Sequence, residues 1–386
     1  MDFGFATAGR IIFGLYSYTK IADYVSEFGD SVFMVSGGSY SRVEPLVTEL
    51  QKRSIKVTRT GVQGEPTVEL IEDILTQLRD LKPDVVLGAG GGSVIDTGKA
   101  LAALATHPGR VLDYLEVIGG GKKLQHAPLP YIAIPTTAGT GSEVTKNAVL
   151  KSQKHKVKVS LRHNWMIPDI ALVDPVLTLT VPKNVTASTG MDALTQLIEP
   201  YVSHKANPLT DGICKEGLLR AAGSLRNVYL NGDDLQARED MCVASLFGGL
   251  ALANSKLGAV HGFAGPVGGY LDAPHGMICA RLLPLVTRMN IEAVKNDPSL
   301  KEVMLRYDDI AEILTGDSHA RAADVPDWLH DLTNDLQIGG LAEFGLQKND
   351  IPKLVKQSQK SSSMQGNPVK LNETQLTEIL TQAIES

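Results

Sequence analysis

No stretch of this sequence is apolar for long enough to cross a membrane. The richest, CVASLFGGLALA (242–253), runs for about a dozen residues and reads as a buried helix, whereas a span needs roughly 18–20. The N-terminal MDFGFATAGR lacks the charged-then-apolar pattern of a secretion signal. Cysteine is scarce: Cys214, Cys242 and Cys279 lie far apart with no CxxC pair. That excludes a disulfide framework and fits a reducing cytoplasm. Positive charge is not in excess either. A net charge of −6 argues against nucleic acid or an anionic membrane as the main partner. There is no internal repeat and no long linker. What remains is an ordinary soluble composition, 43% hydrophobic and 21% charged, in a chain of 386 residues, enough for two domains.

Glycine, by contrast, is plentiful and clustered, with 37 residues, as expected where backbone must approach something closely. Short β-branched runs recur through the first half: SVFMVS (31–36), SIKVTRT (54–60), DVVLGA (84–89), YIAIP (131–135) and IALVD (170–174). Helical patterns lie between the first of them at 40–54, 67–82 and 93–106, the last apolar nearly all round. This alternation predicts a parallel sheet with helices on its faces. KNAVLKSQKHKVKVSL (146–161) predicts a hairpin inserted before the last strand. After about residue 180 the strand signals fade. Helical patterns then continue to the C-terminus, with Pro182 in a first turn, Pro200 kinking or ending that helix, and breaks expected at 207–210, 265–269 and 365–368. The expected domains are therefore 1–180, α/β, and 181–386, all-helical, with a cleft between them as the natural binding place.

VVLGAGGGSVID (85–96) runs strand, glycines, helix. Free N–H groups at such a helix start bind phosphate, and Gly90, Gly91 and Gly92 let a pyrophosphate lie against the main chain. The usual dinucleotide fingerprint fits poorly, because the final glycine is missing and the motif comes late. IPTTAGTGSEVT (134–145) offers a second loop of small hydroxyl donors after a strand, which strengthens the expectation of a nucleotide. The exit of the first of these strands, SGGSYSR (36–42), carries no acid for a ribose 2′-OH, and Arg42 could meet a 2′-phosphate, so NADP is favoured over NAD. The alternative is that Arg42 is simply a solvated helix residue.

In the second half, Asp192 and Gln196 share one helix face at i, i+4. His261 lies among small residues on a predicted helix, and His275 follows a Gly/Pro-rich loop at the start of the next. Convergence of the two with Asp192 would make an oxygen–imidazole site suited to zinc or iron, with Gln196 as a neutral amide donor. The alternative is a hydrogen-bonded structural histidine. His155, His163 and His204 sit in polar surroundings and read as surface residues.

Together these pieces resemble the iron-containing (group III) alcohol dehydrogenases over almost the full length. The matching stretches are GRIIFG (9–14), GAGGGSVIDTGKA (88–100), IPTTAGTGSEVT (134–145), DPVLTLTVP (174–182), GMDALTQLIEPYVS (190–203), ANPLTDG (206–212), GAVHGFAGPVGG (258–269), APHGM (273–277) and GNPVKL (366–371). The resemblance implies a Rossmann-like α/β nucleotide-binding domain followed by an all-α domain, the architecture shared with dehydroquinate synthase. It implies NAD(P)-dependent interconversion of a small aldehyde and a primary alcohol. Carried over, Gly91, Gly92, Ser93 and Asp96 belong to the pyrophosphate motif, and Thr136, Thr137, Thr140, Thr145 and Lys158 contact the nucleotide. Gly37, with Gly38, Ser39 and Arg42 after it, falls where NAD-preferring relatives place an aspartate. The family's metal, Fe2+ or Zn2+, would be held by Asp192, His261 and His275.

Two positions depart from the family pattern: Gln196 stands where a fourth ligand, histidine, is usual, and Gly265 replaces a further histidine thought to help proton transfer. Either the metal stays with Gln196 as an oxygen donor or displaced by water, or the site works without metal, with His261 or His275, partnered by Asp192, as proton donor. A maleylacetate reductase-like activity and a cofactor-binding protein that has lost catalysis are the rival expectations. A sugar-phosphate cyclase is disfavoured by the lack of a Lys/Arg cluster in the 190–280 site segments. Relatives are often homodimers.

Overall fold

The computed structural model describes every residue except Met1, Lys156, Asn296 and Ser386. By internal contacts it divides into two units, Ala6–Thr137 with Gly141–Val181, and Pro182–Ser386 with Met1–Phe5 and Ala138–Thr140. Among the described residues no single helix is long and apolar enough to cross a membrane.

The first unit is a six-stranded sheet in which every pairing is parallel, plus a two-stranded hairpin. Its strands in chain order are β1 (Arg10–Phe13), β2 (Ser31–Gly37), β3 (Lys56–Val62), β4 (Val85–Gly90), β5 (Tyr131–Pro135), β6 (Asn147–Ser152), β7 (Val157–Arg162) and β8 (Ile170–Val173). The sheet order is β1-β8-β5-β4-β2-β3, and β6 pairs antiparallel with β7 as the expected hairpin. Strand β1, hidden in the short run RIIF, was not among the expected strands; it pairs with β8 from Arg10↔Ile170 to Phe13↔Val173. Four residues are too few for a periodic signal, and only the neighbouring strand makes them extended.

Helices α1 (Ile21–Ser26), α2 (Glu44–Lys52), α3 (Val68–Leu81), α4 (Gly92–Ala105) and α5 (Val111–Tyr114) accompany the sheet. Strand β2 shows how its two faces are shared. Val32 and Met34 enter one core with α1 and α2, while Phe33 and Val35 enter another with α3 and α4. Alternation with a period of two sends successive side chains to opposite faces. Each such buried side chain stabilises the fold by roughly 1.5–3 kcal/mol. Helix α3 starts because Thr67 Oγ1 accepts from Leu70 N at 3.1 Å, and stops where Lys82 turns left-handed at φ 48° before Pro83.

The second unit is helical: α6 (Lys183–Val202), α7 (Pro208–Leu230), α8 (Leu235–Asn254), α9 (Ala259–Tyr270), α10 (His275–Lys295), α11 (Lys301–Thr315), α12 (Val325–Asp335), α13 (Ile351–Ser358) and α14 (Glu373–Ile384). One continuous apolar core runs through it. Pro182 is the residue before α6, extended at ψ 151°, rather than in its first turn. Pro200 lies in the last turn, and α6 ends two residues later. The break expected at 265–269 is absent, since GPVGG lies inside α9. Burial of Val260, Phe263, Ala264 and Val267 on α9 outweighs the poor propensity of its glycines and Pro266.

Candidate active site

In the first unit the two glycine- and hydroxyl-rich loops meet at the carboxyl ends of β4 and β5. Thr136 N donates to Gly90 O at 2.9 Å. A Cβ placed on Gly91 would sit 3.4 Å from Thr137 Oγ1. Gly91 caps α4 without any side-chain cap, and Gly92 and Ser93 open the helix. Their N–H groups have no partner within the helix, which is the arrangement that receives an anion. Gly37 closes β2, and a Cβ there would meet nothing within 4 Å. Beyond it, Gly38 lies against the side chain of Gln63, Ser39 Oγ is 3.0 Å from Ser41 Oγ, and the exposed Arg42 donates to Thr180 O at 3.2 Å.

Other expected nucleotide residues are tied into the protein itself. The Asp96 carboxylate accepts from Ser142 Oγ and, at 2.9 Å, from Val149 N. Thr145 Oγ1 accepts from the buried Lys99 Nζ at 3.0 Å, and Lys99 also donates to Ser142 O and Asn147 O, both at 2.8 Å. Asp96 and Lys99 thus clamp the loop from α4, and burial lowers the Lys99 pKa even though Asp96 and Glu143 pull the other way. Lys158 is paired with Glu65. Thr140 belongs to the short stretch Ala138–Thr140 that groups with the helical unit.

The polar cluster lies in the helical unit. Helix α6 carries Asp192 and Gln196 on one face, both buried. His261 sits in the first turn of α9, and His275 is the first residue of α10. Asp192 Oδ1 is 3.4 Å from His261 Nε2 and 3.8 Å from His275 Nε2. The structure adds Cys279, one turn after His275, with Sγ 3.6 Å from His275 Nε2 and 4.0 Å from His261 Nε2. One donor atom from each of Asp192, His261, His275 and Cys279 lies within 4.8 Å of all the others.

Glu199 supports this group. Its Oε2 is 2.6 Å from His261 Nδ1, and its Oε1 accepts from Val260 N at 2.7 Å. With Nδ1 donating to Glu199, Nε2 is the nitrogen left to face Asp192 and Cys279. Both added residues escaped sequence reasoning. Glu199 had a signal, since positions 192, 196 and 199 form an i, i+4, i+7 stripe; Cys279 had only its i+4 spacing from His275.

Burial works against charge here, but the partners decide. Burial disfavours the Asp192 carboxylate, yet His261 and His275 hold its pKa below the usual value. Burial likewise disfavours a charged His261, while Cys279, Glu199 and Asp192 lift its pKa well above the ordinary histidine value. At this cluster the buried Asp192 Oδ1 and Gln196 Oε1 make no hydrogen bond to a described residue, although Oδ1 lies within ion-pair distance of both imidazoles. Buried oxygens without a hydrogen bond are costly. The carboxylate oxygen facing two imidazoles fits a divalent cation.

Two family models match the chain. Iron-containing alcohol dehydrogenase covers residues 8–175, and Fe-containing alcohol dehydrogenase family, C-terminal, covers residues 186–384. The chain belongs to the iron-containing alcohol dehydrogenase family. It is 43% identical over 245 residues to Long-chain-alcohol dehydrogenase 1 of Geobacillus thermodenitrificans, a match covering 63% of this chain and 61% of that protein. It is 34% identical over 375 residues to Alcohol dehydrogenase 4 of Saccharomyces cerevisiae, covering 95% of this chain and 93% of the relative. The solved structure of a 1,3-propanediol oxidoreductase superposes with a TM-score of 0.91 at 31% identity, covering 99% of this chain and all of the other. As a member of this family the protein is an oxidoreductase acting on CH–OH groups, and the family binds NAD(P) and a metal.

Proposed function

We propose that the protein interconverts small aldehydes and primary alcohols, with NADPH as the preferred hydride donor. The observation that carries this reading is the convergence of Asp192, His261 and His275 in a largely buried cluster whose carboxylate oxygen faces both imidazoles without making a hydrogen bond. These three residues would hold a divalent ion, which when bound supplies Lewis acidity at the substrate oxygen. The chain's own groups do the rest. Glu199 orients His261, and burial of Asp192 keeps water from competing for its oxygen. The half-exposed His275 is the member of the group open to solvent and to a proton. The unoccupied space at Gly37 and the absence of an acid there support NADPH, because nothing repels a 2′-phosphate.

The test is cofactor consumption with NADPH and NADH against aldehydes, oxo-acids and a sugar phosphate. Turnover of aldehydes with NADPH ahead of NADH is expected. Turnover of oxo-acids alone would replace this reading with that of a maleylacetate-type reductase. Tight NADPH binding with no turnover, even with iron, zinc, nickel or manganese added, would mark a protein that has lost catalysis; Gln196 in a ligand position is the observation favouring that second reading.

A further inference from the structure

We propose that Cys279 is the fourth protein ligand of the metal centre, in place of the imidazole that Gln196 does not supply, and that the resulting donor set selects zinc over iron. The inference rests on the reading above that the cluster holds a divalent ion.

Three independent features carry it. The first is position. His275 and Cys279 are one turn apart on α10, which puts both side chains on the same face. Cys279 is fully buried, so its thiol meets the cluster and not solvent. The second is shape. A tetrahedral zinc site with metal–nitrogen bonds near 2.0 Å and a metal–sulfur bond near 2.3 Å has edges of about 3.3 Å between nitrogen and oxygen donors and about 3.6 Å between sulfur and nitrogen. The Asp192 Oδ1 separations are 3.4 and 3.8 Å, and the Cys279 Sγ separations are 3.6 and 4.0 Å. One edge of each kind matches that geometry closely, and the other is longer by about half an ångström or less, a gap that small side-chain movements close on binding. The third is donor strength: Gln196 Oε1 is also buried without a hydrogen bond, beside Gly248 of α8, but a neutral amide oxygen is a weaker ligand than a thiolate.

The chemistry follows from the donors. On binding, the Cys279 Sγ–H proton leaves to solvent and the sulfur lone pair bonds to the ion, with no change of oxidation state. The Asp192 carboxylate and the Cys279 thiolate together neutralise the dication, so the centre carries no net charge. A carboxylate with three imidazoles would leave one positive charge. A soft thiolate favours zinc over iron(II). Cys214 and Cys242, buried on α7 and α8, are outside the group and serve as internal controls.

The test loads the purified full-length chain with Co2+ and reads its absorption, alongside competition of Zn2+ and Fe2+ for the same protein measured by elemental analysis. The unaltered chain should show the d–d bands of a tetrahedral ion, an intense near-ultraviolet sulfur-to-cobalt band, and a zinc-over-iron preference that narrows in Cys279→Ser; a preference unchanged in that variant overturns the selection of zinc by the thiolate. Cys279→Ser should keep the d–d bands, lose the sulfur band and bind zinc at least about tenfold more weakly. Cys242→Ser should change neither. Stoichiometric cobalt without a sulfur band in the unaltered chain, or a band that survives Cys279→Ser, overturns the assignment of Cys279 while leaving the metal centre standing. Failure of the unaltered chain to bind any of the three ions overturns the metal centre itself, and Cys279 with it.

Discussion

His261 Nδ1 stands 2.6 Å from Glu199 Oε2, and this one contact determines which face of the imidazole can serve as a ligand. The other oxygen of Glu199 holds the backbone of Val260 at the start of the same helix. Glu199 therefore fixes both the ring and the turn that carries it. Glu199→Gln should weaken metal affinity about tenfold to a hundredfold, read by competition with a chelator, while NADPH binding stays unchanged. Unchanged metal affinity would count against the orienting role.

His261→Ala removes a donor from the cluster and leaves the glycine- and hydroxyl-rich loops of the first unit unaltered in sequence. Turnover should fall by at least about a hundredfold, whereas the Kd for NADPH should change little. Equal losses in both quantities would contradict a role at the reacting carbonyl.

Gly37→Asp tests the cofactor reading. The added side chain starts in open space, so the fold should tolerate it. A carboxylate there repels a 2′-phosphate and accepts from a ribose 2′-OH. The ratio of kcat/KM for NADPH to that for NADH should fall about tenfold to a hundredfold. A ratio that does not move would place the 2′-position elsewhere.

Glu143 gives the first unit a pH dependence. Burial raises its pKa from 4.5 to about 7, only partly offset by a hydrogen bond from its own backbone N–H and by Lys99. Because the folded value is the higher one, the native state binds the proton more tightly than the unfolded chain does. Its stabilising effect is complete below pH 4.5 and is lost as pH rises through about 7. Glu143→Gln should remove that loss, on the order of 3 kcal/mol. Denaturant melts at pH 5 and pH 8 would show the substitution becoming more favourable at the higher pH. A pH-independent difference would exclude this carboxyl as the cause.

Much of this architecture was legible in the sequence because it repeats a period. The strands at 31–36, 84–89 and 131–135 were apolar, bounded and β-branched, and they are β2, β4 and β5. The helix at 67–82 had an amphipathic stripe, to which the structure adds the Thr67 cap. What failed was context-dependent. RIIF is extended only because β8 lies beside it, and GPVGG is helical only because packing on α9 outweighs propensity. At the cluster, Asp192, His261 and His275 stood out as polar residues in apolar or glycine-rich surroundings. Cys279 did not, because a cysteine in an apolar helix looks like any other small core residue. Its approach to His275 is the i, i+4 spacing along α10, but its approach to His261 comes from how α9 and α10 pack, which no local pattern records.

Each of the three donor-bearing helices also contains a proline beyond its donors: Pro200 in α6, Pro266 in α9 and Pro284 in α10. Each ring withholds the N–H that would serve the carbonyl four residues earlier, at Gln196, Gly262 and Ala280, and favours a bend at that point. The helices that carry the donors therefore each lack one main-chain hydrogen bond near the cluster, so their ladders resist local movement of the ligand-bearing turns less than an unbroken helix would.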